Sequence, residues 1–468
     1  MTTDQRARLR LPGDLGPLAV GVTLAVLVTG AWRQVAHPFL EHDDWEFLLP
    51  VNPERIDQHH SRLLAEGRWF NYAWWRTVGH LLTPTVAALF FSAVLLLLAV
   101  LIARRWAPGW LFVPTVVALF SWPMITDLSY WPATMAPSVL LLAAAVATLP
   151  FCTEDRRRLI GWVFASTVLV FLAYPALTVI VLVVLVGELI DRPLRELALL
   201  VVAFGIAYAV ATGIVFSLNG WQLGTFGVEV RPWRNPNHLH DFGDLAENIS
   251  RVGDQVRTLL GTATIPFAIG ALAVLACLLR PEVRDRGIRL VLLGVVGFGV
   301  QSSATVLTGV STPFRSMGWA WLLPVIALVW LAQELGLPRW QRATAVVGLV
   351  LVASWGVRYD LGVLDDYQDR RARYEKILDR VDVLVEAHPG ARILIVGTTE
   401  DWANPVFTRE AQYLSQKALD DDGTVMVNCH PPGCAPAANA RVMRLADRGV
   451  RAVMSGPYIV VVPTAHRR

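Results

Sequence analysis

The stretch RLIGWVFASTVLVFLAYPALTVIVLVVLVGELIDR, residues 158–192, decides the fold. It is apolar almost throughout and too long for one ordinary transmembrane helix of about 20 residues. Tyr174-Pro175 sits at its middle. Proline removes a helical hydrogen bond and clashes with the preceding turn, so a helix does not run through it undisturbed. Two readings follow: two short spans that double back, or one long kinked helix. They place everything downstream on opposite sides of a membrane.

The rest of the chain makes the membrane setting plain. Of the 468 residues 54% are hydrophobic and 17% charged, with a mean hydropathy of +0.47. Soluble domains carry about 25% charged residues. Apolar runs recur at 15–35, 81–103, 108–125, 136–151, 159–173, 175–190, 197–217, 263–280, 290–308, 318–334 and 343–357. This is the pattern of a polytopic α-helical membrane protein of about eleven spans. The basic start, MTTDQRARLRLPGDL, precedes the first run without a clear small-residue cleavage site, so it reads as an uncleaved span. The 18 Trp residues mostly flank the spans, as interfacial anchors do. A net charge of +3 gives no basic face for nucleic acid.

Charge chooses between the two readings. Arginines follow or precede spans at 6–10, 104–105, 156–158, 192–195, 280–289 and 339–342. They fall on one side only if Tyr174-Pro175 is a true turn. Eleven spans then obey the positive-inside rule, with the N-terminus cytoplasmic and the C-terminus outside. The outer pieces become a first loop at 36–80, a short loop at 126–135, a third piece at 218–262, and a tail from 358 to 468. In that tail, 365–388 reads as an amphipathic helix. Strands are expected at 392–397 and 424–428, helices at 408–419 and 437–448, and further strands at 451–454 and 458–462. Strands alternating with helices predict a C-terminal exoplasmic α/β domain over 358–468, beside a transmembrane domain over 1–357.

The first outer loop holds the residues with chemistry to offer. EHDDWEFLLP, 41–50, places Asp43, Asp44 and Trp45 just past the first span. Asp43 and Asp44 are candidate acid–base groups, or a solvated loop start, or an N-cap for a helix at Trp45. The aromatic run around Trp69 reads as a helix lying in the interface. Candidate anion-binding arginines near the outer face are Arg68, Arg231, Arg234, Arg315 and Arg358. Tyr130 and Trp131 could stack on a sugar or anchor in the interface. His59, His60, His238 and His240 are candidate substrate or metal contacts, and with Asp43 or Asp44 could bind a divalent cation, although their spacing is not that of a structural zinc site. Cys429 and Cys434 bracket HPPG, and outside the cytoplasm a disulfide between them is expected.

An acidic pair in the first outer loop, interfacial helices after it, about eleven spans and an outer C-terminal domain together resemble the GT-C superfamily of polyprenyl-phosphate-sugar glycosyltransferases. Asp43-Asp44 followed by Gly67-Arg68-Trp69 is similar to the GtrII-type glucosyltransferases. The resemblance implies transfer of a sugar from a polyprenyl-phosphate donor to a cell-envelope glycan or lipid-linked acceptor, with Asp43 or Asp44 as base. The residues permit that chemistry. A phosphate monoester leaves as a dianion, so the enzyme needs one base for the acceptor hydroxyl and cations for the phosphate. A surface Asp, with a reference pKa of about 3.9, is ionised and ready to accept a proton. In an extended segment the two Asp side chains point in opposite directions, so one alone is expected to reach the hydroxyl. The Arg-, Ala- and Val-rich usage points to a bacterial plasma membrane. A transporter or flippase for an envelope lipid is the rival reading, and a non-catalytic envelope assembly protein another. A reporter fused at residue 430 is expected to report an exterior location; a cytoplasmic signal there would overturn the eleven-span topology.

Overall fold

The structure is a computed structural model and describes residues 21, 32–36, 38–40, 44, 48, 62–107, 109–230, 234–334, 337–397, 405–422, 425–429 and 440–463. The chain divides into two compact units. The first comprises 1–38 and 60–363, the second 39–59 and 364–468.

Among the described residues six helices are long and apolar enough to cross a membrane, or up to eight if each of two bent pairs is one span. Helix α1 is Trp32–Ala36, at the end of the first predicted span, most of which lies outside the described residues. Helix α2 is Trp69–Thr77 and α3 Pro84–Trp106. Thr83 caps α3 by accepting from the Val86 amide, and Pro84 stands at its first turn, where a missing N–H costs nothing. The next predicted span is broken: α4, Phe112–Phe120, ends at Ser121 and α5, Pro123–Thr126, departs from its line, a bend of 42°. Two indoles take carbonyls around the break. Trp321 Nε1 donates to the Ala118 carbonyl and Trp122 Nε1 to the Gly318 carbonyl, both at 2.9 Å.

Helix α6 is Pro132–Thr148 and α7 Arg156–Ala173. Asp155 caps α7 with its carboxylate, accepting from the Arg157 and Arg158 amides. Three arginines fill the first turn of α7, so its apolar part falls short of the roughly 30 Å hydrocarbon core. Tyr174 follows in extended conformation (φ −155°, ψ 102°), as the residue before a proline must, and a 3-10 turn at Pro175–Leu177 leads into α8, Thr178–Leu189. Helix α8 is only 12 residues, about 18 Å. Every residue from Thr178 to Gly187 is buried inside the unit, so α8 faces protein and not lipid.

The remaining helices are α9, Leu194–Leu223; α10, Phe242–Thr262; α11, Thr264–Leu279; α12, Arg284–Thr308; α13, Trp319–Gln333; and α14, Arg339–Ala387. The α10–α11 pair bends by 96° at Ala263. Thus the predicted span 263–280 is a short apolar helix entered at a right angle, and part of the predicted outer piece 218–262 is helix. Helix α13 is buried from Trp319 to Leu322 and from Pro324 to Ala332, and with α8 it forms the centre of the unit.

One end of this unit is stitched by arginine. Arg105 pairs with Glu188 at 3.0 Å. Arg286 pairs with Asp191 at 2.6 Å and Glu334 at 3.4 Å. Arg289 donates to the Ile190 and Arg192 carbonyls, and Arg192 to the Thr153 carbonyl. The last bond joins residues 39 apart. The chain therefore leaves this end along α7, reverses at Tyr174-Pro175, and returns along α8.

The second unit holds a four-stranded sheet. Strand β1 is Arg392–Val396, β2 Met426–Cys429, β3 Ala452–Ser455 and β4 Tyr458–Val461, in the order β2-β1-β4-β3. Strand β1 runs parallel to β2 and β4, while β3 and β4 form an antiparallel hairpin turned at Gly456, whose φ of +59° suits glycine. Helices α15, Pro405–Asp422, and α16, Ala440–Asp447, accompany it. Leu394, Val396, Val442, Ala446, Val460 and Val462 make its core. Helix α14 is unbroken through 358, so no linker begins there.

The start of the acidic motif belongs to this second unit. Phe39 stacks on Tyr367 at 5.3 Å and on Tyr413 at 5.0 Å, with Tyr374 at 6.2 Å. Asp44 follows, helical and 0% exposed. Two expectations change. Asp44 is not a surface carboxylate, and its own backbone is helical and not extended.

Close packing makes a test of the first unit. A Cβ on Gly356 would lie 2.4 Å from the Ser121 carbonyl oxygen, whereas one on Gly205 meets nothing within 4 Å. Gly356→Ala is expected to destabilise by about 1–3 kcal/mol. Gly205→Ala should be neutral or stabilising by up to about 1 kcal/mol. Thermal unfolding in detergent measures both; equal melting temperatures for the two variants would contradict the packing.

Candidate anion site

At the other end of α7, about 27 Å along the helix from its arginine turn, five chain segments of the first unit bring cations together. The first is built by Gly67. Its φ of +80° is left-handed, and its amide bonds the Leu64 carbonyl while Arg68 bonds that of Leu63, both at 2.8 Å. This paired closure ends the helical turn at 62–65 in the manner of a Schellman motif. A Cβ on Gly67 would also come within 2.8 Å of Val215, so glycine is required twice over. Arg68 is thereby set just before α2.

Trp69 then fixes a second segment. Its indole N–H donates to Asn219 Oδ1 at 2.8 Å, and Asn219 Nδ2 donates to the Gly227 carbonyl at 2.7 Å. The Glu229 amide bonds the Ala65 carbonyl. The loop after α9 is held against the Gly67 turn, and it delivers Arg234. A 3-10 turn at Phe314–Met317, between α12 and α13, supplies Arg315 and Ser316. Tyr174 comes from the α7–α8 reversal and Trp131 from the start of α6.

The groups meet as follows. Arg68 pairs with Glu66 at 3.0 Å and its guanidinium lies 5.0 Å above the Tyr174 ring. Arg234 reaches the same Glu66 at 3.8 Å. Arg315 stacks 4.5 Å over the Trp131 ring and donates to the Tyr174 phenol, which Ser316 also bonds. Glu66 is further shared with Arg62 at 3.4 Å. Among the described residues Glu66 is the one carboxylate paired with this trio, and Arg315 has none.

The electrostatics report the excess. Burial pulls the Arg234 guanidinium below its ordinary value; Glu66 opposes this, and Arg68 and Arg315 add to it. Burial pushes the Tyr174 phenol up, yet Arg315 and Arg68, with the hydrogen bonds from Ser316 and Arg315, outweigh it and leave the phenol below the usual tyrosine range. Three guanidinium groups around one carboxylate favour an incoming anion.

Of the arginines singled out by sequence, the structure brings Arg68, Arg234 and Arg315 together. Arg358 is exposed on α14, and Arg231 lies outside the described residues. Trp69 anchors a loop, and Trp131 carries Arg315 on one face with Tyr130 edge-on at 5.8 Å. His238 and His240 are exposed on the approach to α10, where Asp241 and Asp244 form a capping box. That motif is accounted for as a helix start. Among the described residues no group of three His, Cys, Asp or Glu could hold a metal ion. Asp43, Trp45, His59, His60 and Cys434 lie outside the described residues, so the cation site and the Cys429–Cys434 pairing do too. The sequence marks Tyr174 as a helix break; its place before proline, which forces it out of the helical line, is the signal for its position.

An apolar cavity of about 620 Å³ opens between α4 and α14, lined by Trp110, Val113, Val117, Val346, Val350 and Val357 among others. Beyond Val357, Tyr359 stacks on Trp355 at 5.6 Å and lies 6.2 Å from Phe314, the neighbour of Arg315. Comparison with protein-family models, curated proteins and solved structures finds no match.

Removing the shared carboxylate tests the charge balance. Glu66→Gln is expected to lower the melting temperature in anion-free buffer, and added phosphate should restore it by more than it stabilises the wild type. An equal phosphate response in both proteins would argue against an anion site here.

Proposed function

We propose that this protein is a membrane glycosyltransferase of GT-C type that moves a sugar from a polyprenyl-phosphate donor to a cell-envelope glycan or lipid-linked acceptor. The observation that carries the reading is the Arg68–Arg234–Arg315 cluster at the end of the helix bundle away from the arginine-stitched end. A lipid phosphate presents its charge at the membrane surface while its tail stays in hydrocarbon. A cationic cluster at one end of a set of apolar helices suits such a ligand. The cavity between α4 and α14 is the proposed berth for part of the tail, since its walls are apolar and it leads toward the Phe314–Arg315 turn.

In the proposed reaction the acceptor hydroxyl attacks the anomeric carbon from the face opposite the phosphate. The carbon–oxygen bond to phosphate breaks with inversion, and the bonding pair leaves on the phosphate dianion. Arg68, Arg315 and Arg234 stabilise that charge where it grows. The hydroxyl proton is assigned to Asp43 or Asp44 from the sequence motif alone, and Asp44, 0% exposed, would take it only once uncovered. The arginine-stitched end is proposed to face the cytoplasm of a bacterium and the cluster the exterior, which is the orientation the positive-inside rule favours.

Asp43→Asn and Asp44→Asn are each to be assayed for transfer from a polyprenyl-phosphate sugar, and one or both should fall by about 10²–10⁴-fold. Arg315→Ala should weaken donor binding by about 1.5–3 kcal/mol, the worth of a hydrogen bond to a charged group. Near-wild-type transfer by both Asp variants would reject the base assignment, and unchanged donor affinity in Arg315→Ala would reject the phosphate site.

A further inference from the structure

Tyr174 is placed as no structural tyrosine needs to be. Pro175 holds its backbone extended, which turns the side chain out of the α7 line and into the cation cluster. Its ring already has a packing role, under Arg68 at 5.0 Å. Its oxygen has a different one. A phenol carries a single proton and can accept as well as donate. Arg315 donates to the oxygen and so occupies the accepting side. The proton remains to be given away, and it sits beside the guanidinium groups of Arg68 and Arg315, while the neighbouring carboxylate, Glu66, pairs with Arg62, Arg68 and Arg234. Ser316, only 4% exposed, donates to the same oxygen and so does not take the proton.

We infer that Tyr174 is a ligand-binding residue of the anion site, donating its phenolic hydrogen to an oxygen of a phosphate monoester held by Arg68 and Arg315. The inference rests on the phosphate-binding reading above and adds to it a neutral donor. The three guanidinium groups neutralise charge; the phenol adds a directed hydrogen bond. Arg315, donating to the phenol oxygen, polarises the O–H and strengthens the bond it makes to an anion. The depressed phenol described above agrees with that polarisation.

The test uses the full chain in detergent or nanodiscs and a short-chain polyprenyl monophosphate as probe. Tyr174→Phe keeps the ring that Arg68 covers and removes only the hydroxyl. It is expected to bind the probe about ten- to a hundredfold more weakly, with its melting temperature without probe close to that of the wild type. The ³¹P resonance of the bound probe should also shift between the two proteins. As a second measurement, 3-fluorotyrosine at position 174 leaves the fold untouched, and its ¹⁹F resonance is expected to move on adding probe. If Arg68→Ala and Arg315→Ala lose affinity while Tyr174→Phe does not, and the ¹⁹F resonance stays still, the role of Tyr174 is overturned and the phosphate site stands. If none of the three variants loses affinity, the phosphate site fails and the inference with it.

Discussion

The architecture of the first unit depends on one peptide bond, that between Tyr174 and Pro175. Proline denies its predecessor the helical conformation, and the chain turns back. Because it turns, the arginine-rich start of α7 and the end of α8 lie at the same end, where Arg192 can reach the Thr153 carbonyl and Arg289 those of Ile190 and Arg192. Because it turns there, a phenol is delivered to the opposite end, between Arg68 and Arg315. A straight helix through this point would have separated the arginines and buried the tyrosine in apolar surroundings.

The two ends handle positive charge differently. At one, Arg105 and Arg286 meet Glu188, Asp191 and Glu334, while Arg289 is satisfied by carbonyls. These cations are compensated, and their work is to hold helix ends together. At the other, Arg68 and Arg234 meet Glu66, and Arg68 and Arg315 lie on aromatic faces. Cation–π contact holds a guanidinium in place without neutralising it. Charge held in place on aromatic faces is what distinguishes this end from a staple.

The sequence told of these features unevenly, for physical reasons. The one-sided arginines were visible because positive charge near a membrane is patterned along the chain. Arg68, Arg234 and Arg315 could be singled out by type and expected depth. Their convergence could not, since it runs through Trp69, Asn219 and Gly227, three residues with no mutual spacing to read. The broken helix at Ser121-Trp122 is hidden by an unbroken apolar run, because Trp321, 203 residues away, takes the Ala118 carbonyl at the break. The segment with Asp44 was assigned to a loop among membrane helices. Its place is set instead by Phe39 stacking on Tyr367 and Tyr413, more than 300 residues onward, a pairing that local pattern cannot reveal.

Helix α8 carries a consequence for how the protein is made. Twelve residues, buried on every side, give a segment too short to hold itself across hydrocarbon and with no surface meant for lipid. Such a segment has no stable resting place until its neighbours surround it. Its Pro175 turn couples it to α7, whose own apolar stretch is short, so the two must enter the bilayer as one hairpin and not in succession. The fold's centre, where α8 lies among buried residues of α13, is complete only when both are in place.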